Sequence, residues 1–129
     1  MKQWEKRVKL FELVYSALIR DISPNDLINF SFEQLYEWEA DSLKILEYLV
    51  KEWDEIVALL RPNISSTWTW DRISYTDKAV LLVAVAENKA LDTPKNVIID
   101  QSLITAKNYS IDDSYKFINP ILEKVLKDA

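Results

Sequence analysis

Residues 74–88 read S-Y-T-D-K-A-V-L-L-V-A-V-A-E-N, and this stretch decides the fold. Ser74 with Asp77 three positions on is the pattern of a helix start, a side-chain oxygen placed to accept from an amide that the first turn leaves unpaired. Ala79, Val80, Leu82, Val83 and Ala86 follow, making the segment too apolar all round for a surface helix and fit for the centre of a bundle. Such a helix is stable only if other helices surround it, and the flanking sequence supplies them.

Upstream, Trp4, Val8, Phe11, Tyr15 and Leu18 recur at helical steps and predict one apolar face for a helix over Lys2 to Arg20, with Lys2, Lys6 and Lys9 on another face. The helix should stop before Asp21-Ile22-Ser23-Pro24, where Ser23 and Pro24 suit a short new turn. A second helix is expected to open at Ser31, with Gln34 completing a capping box, and to run to Pro62 with room for a break near Ala40-Asp41. The polar residues 63–67 form a connection, and Trp68 and Trp70 are expected to lie on the core as a lid. Downstream, Thr93-Pro94 starts a helix from Lys95 to about Asn108, with Val97, Ile98, Leu103, Ile104 and Ala106 inward. Ser110, Asp112 and Asp113 open the last helix, where acids suit the positive end of the helix dipole. The expectation is an all-α, two-layer compact bundle of about five to seven helices, one domain over residues 1–129, with no strand.

Composition removes most chemistry. The chain has no histidine, cysteine or glycine. Thiol and imidazole nucleophiles, bases and metal ligands are therefore absent, and a glycine-dependent phosphate loop is excluded. The acids Glu33, Glu37, Asp41, Glu52, Asp54 and Glu55 leave a magnesium-dependent enzyme as one reading, against which stands the plainer one of a solvated helix face. No cofactor is expected. There is no apolar run of membrane-spanning length and no signal-like start, so a cytoplasmic location away from membranes is expected. The net charge of −5 is uneven: residues 1–20 hold five cations and two acids, whereas residues 21–60 hold two cations and ten acids. Positive potential at the N-terminus keeps a nucleic-acid contact open despite the acidic total.

Four pieces in register carry a resemblance: Asp77-Lys78-Ala79-Val80-Leu81, Pro94-Lys95-Asn96-Val97-Ile98-Ile99-Asp100, Ala106-Lys107, and Asp112-Asp113-Ser114-Tyr115-Lys116-Phe117-Ile118-Asn119. Together they resemble the C-terminal half of the NusB family. That family shows a [DE]-K-A-[VI]-L helix, a proline-led helix reading V-x-I-N-E-A-[IV]-x-L-A-K, and a last helix E-D-S-x-K-F-[VI]-N-G. Upstream, Lys6-Arg7-Val8-Lys9 and Leu13-Val14-Tyr15 match in style. The chain departs at Asp100-Gln101-Ser102, at Ala86-Glu87-Asn88, and at Pro120, which stands where the family has glycine. Pro120 removes an amide donor and opposes the carbonyl of Lys116, so a kink is expected there.

The resemblance implies a non-enzymatic bacterial antitermination factor. Such a protein binds a boxA-like single-stranded RNA together with the ribosomal protein NusE, and meets other Nus factors and RNA polymerase indirectly. Lys2, Lys6, Arg7 and Lys9 form the candidate phosphate patch, joined through the resemblance by Lys107, Ser114, Lys116 and Phe117. Glu87 falls at the position that the resemblance assigns to the NusE contact. Phe117 also fits the core stripe with Ile121 and Leu122, and an exposed Trp4 or Trp70 beside the basic helix would suit base stacking. The alternative is a protein-interaction domain that kept the helical scaffold and lost RNA binding, as the acidic total and the thinned N-terminal cations would suit.

Overall fold

The structure, a computed structural model, describes residues 3–34, 37–64, 69–110 and 115–128. They form α1 (Gln3–Ile19), α2 (Leu27–Glu33), α3 (Ala40–Lys51), α4 (Trp53–Leu60), α5 (Tyr75–Leu91), α6 (Lys95–Tyr109) and α7 (Tyr115–Val125), with single 3-10 turns at Pro24–Asp26 and Arg61–Asn63. There is no strand among the described residues, and the fold is an all-α bundle. No helix among them is long and apolar enough to cross a membrane.

The central helix is α5. The Ser74 hydroxyl accepts from the Asp77 amide at 3.1 Å, and every residue from Ala79 to Asn88 is buried. Helices α1, α3, α4, α6 and α7 all pack against it. Burial on all sides carries two polar side chains inward. One of these, Asn88, donates to the Thr93 carbonyl at 3.2 Å and the Lys127 carbonyl at 3.0 Å, and accepts from the Lys127 amide at 2.9 Å. A single amide thus ties the segment after α7 to the turn that follows α5.

Elsewhere the structure corrects the sequence reading. The buried face of α1 is Leu10, Phe11, Leu13, Val14 and Ala17, with Val8, Tyr15 and Leu18 on its edge and Trp4 53% exposed. Packing against both α5 and α3 centres the buried sector between Leu10 and Val14, away from the Trp4 row. Ser31 does not start a helix. It is buried inside α2, where its hydroxyl donates to the Ile28 carbonyl at 2.6 Å. The Trp38 indole then donates to the Ser31 carbonyl at 2.8 Å, closing the C-terminal end of α2. The helix expected up to Pro62 with room for one break near Ala40-Asp41 is several: α2 ends at Glu33, α3 begins at Ala40, and a second break falls at Glu52, whose φ of −109° and ψ of 21° separate α3 from α4.

On α6 the inward residues are Ile98, Ile99, Thr105 and Ala106, which leaves Val97 and Ile104 exposed, contrary to expectation. Trp70 is buried, as a lid would be, whereas Trp68 lies outside the described residues. Asp112 and Asp113, expected to open the last helix, also lie outside them. The helical run of α7 continues past Pro120 to Val125, with Pro120 on its exposed side and Ile118, Ile121, Leu122 and Val125 on the core side. The outward position keeps the proline ring clear of the packed face, so the core contacts of the last helix survive the missing donor.

Replacing Asn88 by alanine should lower unfolding free energy by about 3 kcal/mol, roughly one for each lost hydrogen bond. It should also speed hydrogen exchange at the Lys127 amide well before global unfolding. Urea denaturation together with exchange measured by NMR tests both, and a loss below about 1 kcal/mol with unchanged exchange would show that the clamp is not what holds the tail.

Candidate nucleic-acid interface

The expected RNA-binding residues fall into separate groups, because one turn of α1 aims its cations in different directions. Lys2 and Ser114 lie outside the described residues. Arg7 turns inward: its Nε donates to Glu87 Oε1 at 2.9 Å and its Nη2 to Oε2 at 2.8 Å. The pair spans α1 and α5, and the Glu87 side chain is only 5% exposed. Glu87, expected at the NusE contact, therefore has both carboxylate oxygens engaged from within the chain. The planar guanidinium matches a carboxylate in this two-point fashion, which a lysine could not do.

Lys6 forms an ion pair with Glu39 in the link before α3, and this hydrogen bond holds the Glu39 carboxyl below its ordinary value. Lys9 lines the same shallow crevice, together with Glu37, Trp38 and Ser42. The basic side of α1 thus lies against acids of the following segment. That juxtaposition is invisible in a linear charge count, which separates residues 1–20 from residues 21–60.

Lys107 and Lys116 are exposed on α6 and α7, which pack together. The Lys107 ammonium stands 4.9 Å from the Tyr115 ring centre, a cation–π contact that bridges the two helices. Phe117 is half-buried and packed against the core, so most of its ring supports α7. The acids of the α2 to α4 region do not converge, and no cluster able to hold a metal ion exists among the described residues.

Beside α1's basic side is a feature that the apolar periodicity placed in the core. Trp4 and Ile104 are each 53% exposed and both line a groove between α1 and α6. The sequence held one signal for it: Ile104 is out of step with the Ile98, Ile99 and Ala106 stripe.

The pattern of the NusB family matches residues 5–127 of this chain. The chain belongs to the NusB family. Its relatives include the transcription antitermination protein NusB of Staphylococcus haemolyticus, 30% identical with 97% of this chain and 99% of the relative covered. The protein of the same description from Listeria monocytogenes is 32% identical, covering 97% of this chain and 96% of its own. The solved structure of T. maritima NusB superposes with a TM-score of 0.86 over 97% of this chain and 90% of that one, at 24% identity, and shows the same fold. Within this family member, the bidentate Arg7–Glu87 pair joins the basic N-terminal helix to the core.

Replacing Arg7 alone by methionine leaves the Glu87 charge buried and should cost on the order of 3–5 kcal/mol. Adding Glu87→Leu should recover most of that loss. Equal destabilisation of the single and double variants in urea unfolding would show that the two side chains are not coupled.

Proposed function

We propose that this chain is a transcription antitermination factor that binds a boxA-like single-stranded RNA jointly with the ribosomal protein NusE, and through them contacts other Nus factors and RNA polymerase. The observation that carries this reading is the match to the NusB family over residues 5–127, with antitermination proteins covered almost end to end. The family is one of antitermination factors and not of enzymes, and the reading asks no chemistry of the chain.

The physical features that support RNA binding are the exposed cations of α6 and α7. Lys107 and Lys116 stand on adjoining helices, and Phe117, next to Lys116 on α7, packs against the core. Phosphate attraction needs exposed cations and supplies the sequence-independent share of affinity. Lys6 and Lys9 add potential from α1, reduced by Glu37 and Glu39 beside them. Arg7 and Glu87 act on this surface from beneath, by holding α1 in place, so a charge reversal at Arg7 reports stability before it reports RNA contact.

The test is titration of a labelled boxA-like RNA, with and without NusE, over a range of salt concentrations. Changing Lys107 and Lys116 together to glutamine should weaken binding by a similar factor on every RNA and lower the slope of log affinity against log salt by about 1.4, as two lost phosphate contacts would. Lys6→Gln should have the smaller effect. Absence of salt-dependent binding by the unaltered chain would leave the protein-interaction reading in its place.

A further inference from the structure

The groove between α1 and α6 holds about 610 Å³ and is lined by Trp4 and Val8 on one side and by Gln101, Ile104, Asn108 and Tyr109 on the other. A tryptophan 53% exposed on a helix otherwise anchored in the core leaves a large apolar area in water, which marks a surface that meets something. Three properties say what. First, every side chain lining the groove is uncharged, in a chain where 29% of residues carry charge, so the occupant is a neutral group and not a phosphate or an ammonium. Second, the Gln101 and Asn108 amides each offer both donors and acceptors, which suits the edge of a heterocycle and would be left unmatched by an aliphatic chain. Third, the wall is built in advance. The Tyr109 hydroxyl donates to Glu12 Oε1 at 2.9 Å, and its ring lies against Phe11 with centres 4.8 Å apart.

We propose that this groove takes one unpaired nucleobase of the bound RNA, stacked on the Trp4 indole with its edge toward Asn108 and Gln101. The backbone that carries the base then runs toward Lys107, which follows Ile104 by three residues on α6 and so stands one helical turn away. The inference rests on the RNA-binding reading above and adds to it a site that no cation supplies. It divides the labour: lysines hold phosphates without regard to sequence, and the groove holds a base.

The experiment uses the full chain as wild type, Trp4→Ala and Trp4→Phe, titrated with labelled single-stranded boxA-like RNA and with the same RNA made abasic at one position at a time. Binding to NusE is measured in parallel. Trp4→Ala should weaken RNA binding about tenfold, the scale of one lost stacking contact, while Trp4→Phe stays within about threefold of wild type. The salt slope should not change, since no phosphate contact is removed. One abasic position should cost the wild type a similar factor and cost Trp4→Ala nothing more, the signature of two groups that touch each other. The abasic series on the wild type gives this readout even if an altered chain folds poorly. If the wild type binds RNA but Trp4→Ala binds equally well and no abasic position matters, the groove is not a base site and the wider reading stands. A wild type that binds no RNA overturns both. Weakened NusE binding with unchanged RNA binding overturns the inference in favour of a protein side chain in the groove.

Discussion

The helix α5 has no wet side over Ala79–Asn88, and the remaining architecture answers to that constraint. Fully enclosing a helix requires neighbours in every direction, which α1, α3, α4, α6 and α7 provide. Enclosure also brings Glu87 and Asn88 inside, and a buried polar group without partners costs more than most surface contacts return. Each is met from outside α5, Glu87 by Arg7 and Asn88 by Thr93 and Lys127. No buried side-chain nitrogen or oxygen among the described residues lacks a partner. The exposed pairs, such as Arg61 with Asp71 at 3.6 Å, belong to a weaker class of about 0–1 kcal/mol.

The sequence was legible where one segment contained its own explanation. The Ser74 cap and the apolar run after it are local patterns, and the structure places both as read. Legibility failed where two faces of one helix competed. Helix α1 carries both a Trp4–Val8–Phe11–Tyr15 row and a Leu10–Leu13–Val14–Ala17 row, and the positions of α5 and α3 bury the second together with Phe11 while leaving Trp4 outside. Arg7 looked like one of a basic set because its partner lies 80 residues away. Ser31 looked like a cap because its hydroxyl can serve an amide in front or a carbonyl behind, and the structure uses the latter. The groove escaped the periodicity argument for the same reason as α1's buried face, since exposed Trp4 and Ile104 are apolar residues that the pattern assigns to a core.

A chain without glycine must still end its helices. Among the described residues two aspartates take the left-handed positions, Asp21 at φ 57° after α1 and Asp92 at φ 54° after α5. At the first, the Ile22 amide donates to the Ala17 carbonyl at 2.8 Å, closing the turn in the way a glycine would allow. At the second, the Lys127 ammonium lies 2.6 Å from the Asp92 carboxylate, and this hydrogen bond holds the Asp92 carboxyl below its ordinary value. A carboxyl depressed in the folded state adds stability that is present above the ordinary aspartate range and is lost as pH falls through the lowered value. The tail after α7 therefore answers to acid as well as to the Asn88 clamp.

That clamp also sets an order of events in time. Asn88 and Lys127 are 39 residues apart, and a ribosome makes the first well before the second. During that interval α5 has emerged without α6, α7 or the tail, so its C-terminal sides face water and the Asn88 amide has only solvent for company. The N-terminal helices can gather against one side of α5, but the bundle cannot seal until residue 127 is free. Closure of this bundle therefore waits on the segment after α7, and the nascent polypeptide passes through a stage in which its most completely buried helix is on display to chaperones.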